Sequence, residues 1–479
     1  MLEGDLKSAH GHIPASAVTV NRITYGVRGS RKRGLEKSII VPWIVRKSGP
    51  IRLTRGWSVR YWVTLKVPPG TKAGTYEGNL AFKVGGERKR KIPIECRVLP
   101  FTLLDNPSVG RGFFYFMPRW YVRYGFEGID ERLWKAIGRD LNLLKAYGFN
   151  SIDMRGLVTP VIRNGEVYAD FSKADRFWRL YRDIGLKGQA ICSDGTVGTG
   201  PLRGRSPFGL PGKLPYRSYR EKEALKKTIA LFRDHARVND WPGAPRSLLF
   251  WCTDELGTHT RDNVDLAIDL LELYRQVPGI RTFSTINTEK ELRMLPFLDM
   301  VAVNVGVRIT GGLIEKIRRS GTRLGFFNIG GSRYAFGFYL WRTGADLYLQ
   351  WHWNDPKQDP FVFIDGSFNE CSFSYQTEDD IYSTYRLELA REGVDDFRYA
   401  LTLERLLDRS RSLSSRKVRE ASEAAEKALA RLRGMCNVEI NRVFDGVETW
   451  SSRDFRHARE MIIRAILGLL EAGVEMPVK

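Results

Sequence analysis

Two adjacent acids, Asp254 and Glu255, are the residues of this chain best suited to chemistry. They follow an apolar run at 247–252 that predicts a buried strand, so they must leave the strand at its end rather than enter the core. Glycoside hydrolysis needs a carboxyl group that protonates the leaving oxygen and a second group that stabilises an oxocarbenium-like transition state. The acidic pair can supply both groups. The alternative is a structural pair that caps the next helix.

The segment 328–333 follows a later predicted strand and contains no carboxylate. An enzyme that forms a covalent intermediate needs a second carboxylate about 5 Å from the first, and only Asp355 or Asp194 could serve. Substrate assistance removes this need, because the 2-acetamido oxygen of the sugar attacks the anomeric carbon while one carboxylate orients the amide and its neighbour transfers the proton. The sequence therefore favours a 2-acetamido sugar. A sugar without that group, attacked by Asp355 or Asp194, remains the alternative.

Polar and aromatic residues close most of the other apolar runs. Such side chains can hydrogen-bond sugar hydroxyls or stack on a pyranose face. The candidate substrate-binding residues are Tyr115, Arg155, Asp194, Asn304, Asn328, Tyr334, Trp351, His352, Trp353 and Asp355. The aromatic residues and His352 could equally be packed core residues.

Eight apolar runs alternate with amphipathic stretches between 106 and 408, which predicts βα units and a parallel sheet. Strands are predicted at 112–117, 151–155, 187–192, 247–252, 281–286, 300–305, 323–329 and 345–351, and helices at 131–147, 173–185, 219–237, 262–276, 289–295, 311–319, 334–342 and 378–408. Eight units close most simply into a (β/α)8 TIM barrel, whose active site lies at the carboxyl ends of the strands. A doubly wound open sheet is the alternative, but no strand precedes a Gly-x-Gly-x-x-Gly turn.

The barrel is flanked by two further predicted regions. Residues 1–105 predict an N-terminal β-sandwich, in which Gly85 and Gly86 form a hairpin between alternating runs. Residues 409–479 predict a C-terminal helical extension, whose last helix can begin at Ser451 and end at Gly473. The alternating run at 58–67 predicts a half-buried strand, with Val59, Tyr61, Val63, Leu65 and Val67 on one face.

Charge and composition indicate no cofactor. Lysine and arginine (76) exceed aspartate and glutamate (55), which gives a net charge of +21. Because the basic residues extend from Arg22 to Lys479, often beside acids, we interpret them as a solvated surface and do not expect a nucleic-acid partner.

The five cysteines are scattered and predict buried thiols, and the six histidines show no ligand spacing beyond His10-x-His12. Neither a metal nor another cofactor is therefore expected.

The N-terminal residues contain no apolar signal region, and no run of 18 apolar residues occurs. The sequence therefore predicts a cytoplasmic protein without a membrane segment. Secretion is the alternative, if an upstream part of the sandwich is missing. The sequence does not indicate an oligomeric state.

Four segments resemble glycoside hydrolase family 123, the β-N-acetylgalactosaminidases, and barrel proteins related to it. Residues 67–78 are similar to a segment between strands of that family's N-terminal sandwich, and 250–256 to its Asp-Glu catalytic segment. Residues 341–351 are similar to its last barrel strand, and 385–399 to the helix after that strand. Leu256 stands where the family usually has proline.

The resemblance implies a retaining, exo-acting β-N-acetylhexosaminidase, with GalNAc favoured, that acts on a glycan or glycoconjugate. It implies that Glu255 is the general acid/base and that Asp254 orients the acetamido group. In the last segment, Arg386, Glu388, Arg391 and Asp396 suit a packed ion network. A non-catalytic glycan-binding or nucleic-acid-binding protein is the hypothesis from another class.

Overall fold

The computed structural model divides the chain into two compact units. The first is formed mainly by Met1–Leu103 with Tyr382–Tyr385, and the second by Leu104–Pro356, Cys371–Ile381 and Arg386–Lys479. The structure describes residues 2–32, 35–85, 87–115, 130–154, 157–158, 160–164, 166–192, 219–243, 248–254, 264–354, 372–377, 380–440 and 450–477.

The first unit contains two antiparallel sheets that share a buried core, as a β-sandwich does. One sheet has the order β2-β1-β6-β7, and the other includes the neighbours β19-β4-β3-β5. Leu6, Ile13 and Tyr76 form the core, and Val18 and Leu65 pack against it. The strands are β1 (Leu6–Ser8), β2 (Gly11–Ile13), β3 (Val18–Lys32), β4 (Leu35–Lys47), β5 (Arg60–Leu65), β6 (Gly74–Val84), β7 (Glu87–Val98) and β19 (Ile381–Thr384), and a short 3-10 helix covers Ala15–Ala17.

The predicted apolar face of β5 is buried only at one end. Leu65 packs on the sandwich core, but Tyr61 is 36% exposed and Val63 38% exposed. The predicted alternation is confirmed, since Leu65 and these residues share one face. That face is not buried along its whole length, because the core does not extend along the whole strand. The predicted hairpin is confirmed, since Val84 at the end of β6 pairs with Glu87 at the start of β7.

The second unit is built on a closed barrel of eight strands, which confirms the predicted fold. Its order is β12-β13-β14-β15-β16-β17-β8-β9, with all neighbours parallel. The strands are β8 (Gly110–Phe113), β9 (Ser151–Met154), β12 (Ala190–Cys192), β13 (Leu249–Thr253), β14 (Arg281–Ile286), β15 (Met300–Asn304), β16 (Arg323–Phe327) and β17 (Leu347–Gln350). Outside the barrel lie the short strands β10 (Val161–Arg163), β11 (Glu166–Tyr168) and β18 (Ser374–Gln376).

Helices follow the barrel strands close to the predicted positions. They are α1 (Glu131–Ala146), α2 (Ser172–Ile184), α3 (Tyr219–Val238), α4 (Val264–Arg275), α5 (Gly311–Arg319), α6 (Leu340–Thr343) and α7 (Tyr385–Ser410). Two predicted α-helices have different geometry: Glu289–Phe297 is a 3-10 helix that contains Pro296, and Ala335–Tyr339 is a π-helix. In the π-helix, Gly337 lies so close to Gly393 that an added Cβ would be 2.8 Å from the carbonyl oxygen.

Apolar side chains fill the barrel interior. Its buried cluster comprises Phe114, Ile191, Leu249, Trp251, Phe283, Met300, Ala302, Phe327, Leu347 and Leu349. Gly112 on β8 is required for strand closure, because a Cβ there would be 1.6 Å from the carbonyl oxygen of Ser151 on β9. The interior is therefore a packed core, and a ligand can be bound only at one of its ends.

The C-terminal helices α8 (Arg416–Met435) and α9 (Ser452–Glu471) belong to the barrel unit. The predicted start of α9 is confirmed, since the Ser451 side chain accepts a hydrogen bond from the Asp454 backbone. The predicted ion network is present in part: Asp396 is paired, but with Arg333 at 2.6 Å and with Arg459, which lie outside the predicted set. Arg391 pairs with Glu388 and Glu392, whereas the Arg386 guanidinium lies 4.5 Å from the centre of the Phe373 ring.

Three of the described cysteines, Cys192, Cys252 and Cys436, are buried as predicted, and Cys96 is half-buried. Among the described helices, none has the length and apolar character needed to span a membrane.

Candidate active site

Asp254 lies at the carboxyl end of β13, directly after the last residue of that strand. The preceding pairing with β14 is irregular: Trp251 pairs with Phe283, but Thr253 pairs with Ser284. One residue of β13, Cys252, is therefore extra relative to β14, which is a β-bulge. Bulges change the direction in which the following side chains point and occur often beside active sites.

The bulge determines which residue of β13 turns towards the barrel axis. Trp251 and Phe283 both point into the interior cluster, so Thr285, two residues after Phe283, points the same way. Without the extra residue, Thr253 would lie beside Thr285 and Asp254 would point outward. With it, Asp254 takes the place beside Thr285 and its side chain turns inward, at the mouth of the barrel.

A hydrogen bond fixes the Asp254 carboxylate in that orientation. Thr285 Oγ1 donates to Asp254 Oδ1 at 2.8 Å, and Asp254 is half-buried. The backbone before it is also held, since Trp251 Nε1 donates to the Thr253 carbonyl oxygen at 2.6 Å. Hydrogen bonds to an ionised carboxylate are stronger than those between neutral groups, so this carboxylate is presented in a fixed direction.

An aromatic layer forms the floor of the mouth. The Phe114 ring lies 4.8 Å from Trp251, 4.5 Å from Phe327 and 5.6 Å from Trp351, centre to centre. Trp351 is half-buried and follows β17, which is separated from β13 by four steps around the ring in either direction. Asp254 and Trp351 therefore stand on opposite sides of the mouth, above a floor of packed rings.

Asn328 holds the backbone of Trp351. Its Oδ1 accepts hydrogen bonds from the Trp351 backbone N–H at 2.7 Å and from Gln350 Nε2 at 3.2 Å. Asn328 has a φ of 56°, a left-handed conformation that asparagine tolerates better than most residues. The structure thus gives Asn328, predicted to bind substrate, a role in positioning Trp351.

Gln350 is oriented in turn by Tyr348, whose hydroxyl donates to Gln350 Oε1 at 2.6 Å. The same hydroxyl accepts a hydrogen bond from the Gly331 backbone N–H at 2.8 Å. Burial raises the pKa of Tyr348, so its hydroxyl stays protonated and remains a donor.

Asp140 of α1 ties the loops after β8 and β17 together. It is fully buried, and it accepts hydrogen bonds from Tyr115 Oη at 2.8 Å, Trp353 Nε1 at 2.6 Å and Asn354 Nδ2 at 3.3 Å. The predicted sugar contacts of Tyr115 and Trp353 are therefore corrected. Both rings are fully buried, so they support the mouth from outside and offer no face to a sugar.

Three other residues that were predicted to contact the sugar are buried. His352 is fully buried, with its ring edge-on to Trp351 at 4.9 Å. Asn304 is 3% exposed, and its Oδ1 accepts from the Val305 backbone N–H at 2.6 Å. Tyr334 is corrected, since its hydroxyl donates to the Asn437 carbonyl oxygen at 3.0 Å and its ring packs on Trp450. Tyr334 thus packs against the chain that leads to α9.

Four predicted site residues, Glu255, Arg155, Asp194 and Asp355, lie outside the described residues. Within the described ranges, no group of three or more histidine, cysteine, aspartate and glutamate side chains could hold a metal ion.

Sequence reasoning missed Thr285 and Asp140. Asp140 had a signal, because it lies on the apolar stripe of α1 between Ala136 and Leu144, and an acid on such a stripe must find buried donors. Thr285 had none, since its contact with Asp254 depends on the bulge.

The fold is similar to that of a solved glycoside hydrolase. A family 123 glycoside hydrolase from Clostridium perfringens, described as hydrolysing glycolipid glycans, aligns with a TM-score of 0.71 at 14% identity, over 98% of this chain and 88% of that chain. A family 39 glycoside hydrolase from Bacteroides cellulosilyticus covers 82% of this chain and 80% of its own, with a TM-score of 0.39 and 12% identity.

No family model matches the chain, and no curated protein does. At 14% identity, the similarity to the family 123 enzyme concerns the fold. It extends over 98% of this chain, from the sandwich to the C-terminal helices. The chain thus has the fold of a family 123 glycoside hydrolase.

Proposed function

We propose that the protein is a glycoside hydrolase, a retaining and exo-acting β-N-acetylhexosaminidase that works by substrate assistance, with GalNAc as the favoured sugar. The observation that carries the proposal is the Asp254 carboxylate, which the bulge turns into the barrel mouth and which Thr285 holds at 2.8 Å. A fixed carboxylate opposite a half-buried tryptophan suits a sugar ring bound between them.

In the proposed reaction, Asp254 accepts a hydrogen bond from the acetamido N–H of the sugar and so makes the acetamido oxygen more nucleophilic. That oxygen attacks the anomeric carbon as the bond to the leaving oxygen breaks, and Glu255 gives its proton to the leaving oxygen. The product is a cyclic oxazolinium ion, whose positive charge Asp254 stabilises. Water then attacks the anomeric carbon, Glu255 takes a proton from it, and the acetamido group is restored with net retention.

The end of the seventh barrel strand supports substrate assistance over a covalent nucleophile at that position. Residues 328–333 follow β16 and contain no carboxylate. Their polar groups have structural roles instead: Asn328 holds Trp351, and Arg333 pairs with Asp396. The sugar itself is then the simplest source of the attacking group.

Two variants and one inhibitor test this mechanism. Asp254→Asn should lower kcat by about 100-fold or more on a nitrophenyl 2-acetamido glycoside, because a positioned charge is lost. Glu255→Gln should abolish turnover of substrates with poor leaving groups and spare part of the turnover of those with good ones. A thiazoline that mimics the oxazolinium ion should inhibit competitively. Wild-type rates in both variants would make the pair structural and would refute the proposal.

A further inference from the structure

The positive charge of this chain is concentrated in its first unit. Residues 1–103 contain 20 of the 76 lysines and arginines but only 6 of the 55 acids, so they carry +14 of the net +21. No aspartate or glutamate occurs between Glu36 and Glu77. The interpretation of an evenly spread, solvated basic surface therefore applies to the barrel unit and not to the sandwich.

Basic side chains without an ion-pair partner among the described residues occur in both units. Several exposed arginines of the barrel unit pair with carboxylates, as in Arg176 with Glu131 at 2.5 Å and Arg433 with Glu404 at 2.8 Å, whereas others, such as Arg179 and Arg431, form no ion pair with any described residue. In the sandwich, six cations without an ion pair to any described residue occur on β3, β4, β5 and the loop between β4 and β5. These are Arg22, Arg46, Lys47, Arg52, Arg55 and Arg60.

Two of these cations are cross-strand neighbours. Arg22 on β3 pairs with Arg46 on β4 and with Tyr61 on β5, so the three side chains form one row on one face of the sheet. Like charges directly opposite in a sheet repel each other. Arg22 Nε is also buried, and no hydrogen-bond acceptor for it lies among the described residues. A bound anion would reduce the repulsion between Arg22 and Arg46.

The loop at 48–59 places further basic and aromatic residues at the same end of the sheet. It joins β4 to β5, which flank β3 on opposite sides, so it must cross from one side of β3 to the other. Arg52 and Arg55 are exposed in this loop, and Trp57 is 77% exposed. An indole that remains so exposed in a loop that also carries arginines is typical of a surface that binds a partner.

We propose that this basic face, defined by Arg22, Arg46, Arg52, Arg55, Trp57 and Tyr61, binds an anionic polysaccharide. Guanidinium groups form paired hydrogen bonds with carboxylate and sulfate oxygens, and the aromatic rings stack on the sugar rings between the charged groups. A polymer fits better than a single small anion, because the cations extend over two strands and a loop.

The choice of a glycan over a nucleic acid rests on the proposed function. A barrel that hydrolyses glycans gains from a second contact with the same polymer, which raises the local concentration of chain ends. The binding surface itself follows from the charges of the sandwich and does not depend on the catalytic mechanism.

The test measures binding of the full-length protein to heparin, polygalacturonate, neutral dextran and double-stranded DNA at several salt concentrations. We expect binding to one or both anionic glycans, stronger than to DNA, that weakens by about tenfold or more between about 50 and 200 mM salt. Dextran should not bind. Equal binding of dextran would refute a charge-based site, and stronger binding of DNA would overturn the choice of a glycan.

Matched variants localise the site. Arg52→Glu with Arg55→Glu should weaken glycan binding by about tenfold or more, and Trp57→Ala should weaken it by about fivefold. The control, Lys417→Glu with Arg431→Glu, makes the same change in net charge on exposed positions of α8. An equal loss in the control would show non-specific attraction and refute the face. Arg52→Gln with Arg55→Gln gives a milder replacement if the first variant is unstable.

Turnover of a small nitrophenyl glycoside separates this proposal from the proposed function. The loop variants should keep wild-type turnover of that substrate, since they change no residue of the barrel mouth. If turnover is intact while glycan binding fails, the basic face is refuted and the hydrolase is not.

Discussion

Thr285 Oγ1 lies 2.8 Å from Asp254 Oδ1 because β13 contains one more residue than the paired stretch of β14. The hydroxyl therefore donates to one specific oxygen of the Asp254 carboxylate, which fixes the direction of that carboxylate. Since an acetamido N–H must meet a carboxylate at a defined angle, this contact links the local irregularity of a strand to the proposed chemistry.

Thr285→Val should lower kcat/KM for a 2-acetamido glycoside by about 10-fold to 100-fold. Valine has nearly the shape of threonine but cannot donate a hydrogen bond, and a bond to a charged group contributes about 1.5–3 kcal/mol. Steady-state kinetics measures the effect. Thr285→Ser is the control, since it keeps the hydroxyl and should retain most of the activity. A valine variant as active as the wild type would show that Asp254 is positioned by other groups.

Trp351→Ala should raise KM by about tenfold and change the melting temperature little. Its half-buried ring is the described aromatic surface at the mouth opposite Asp254, and loss of stacking weakens substrate binding. Kinetics and thermal melting, measured on the same preparation, check both parts. An unchanged KM together with a large loss of stability would mean that Trp351 serves only the core.

Asp140→Ala should lower the free energy of unfolding by about 3 kcal/mol or more, because the substitution leaves the buried Tyr115 hydroxyl and Trp353 indole N–H without their acceptor. Denaturant titration measures the loss. Glu131→Ala on the same helix is the control: its pair with Arg176 is exposed, so the loss of stability should be far smaller. Equal losses in the two variants would contradict the role given to Asp140.

Asp105 should contribute to the acid sensitivity of the fold. Burial alone would raise the pKa of Asp105, but attraction to Arg111 and Arg398 outweighs burial and holds the pKa below its ordinary value of 3.8. Because the folded-state pKa is the lower one, this stabilisation is present above pH 3.8 and is lost as the pH falls through the folded-state pKa. Asp105→Asn should be less stable at neutral pH and lose less stability on acidification. Parallel pH profiles of the two proteins would refute the assignment.

The barrel could be predicted from the sequence because each of its strands is an apolar run followed by an amphipathic helix. The end of β13 could be located for the same reason, so Asp254 lies where its position after an apolar run indicates. The direction of the Asp254 side chain could not be predicted. The extra residue of β13, Cys252, leaves the apolar pattern of the strand unchanged.

The roles of the aromatic residues were the least predictable part of the site. Trp351 and Trp353 are two residues apart and have the same chemistry, yet one is half-buried at the mouth and the other is fully buried against Asp140. That difference depends on a helix more than 200 positions earlier in the chain. The exposure of Tyr61 likewise depends on where the facing sheet ends, which the alternation along β5 does not encode.

The most direct test of the central claim is the ratio of kcat/KM for a nitrophenyl 2-acetamido-2-deoxy-β-galactoside to that for the matching β-galactoside. Substrate assistance predicts turnover of the 2-acetamido sugar alone, because the plain sugar carries no group that can attack its anomeric carbon. Turnover of both sugars with equal efficiency would contradict the account.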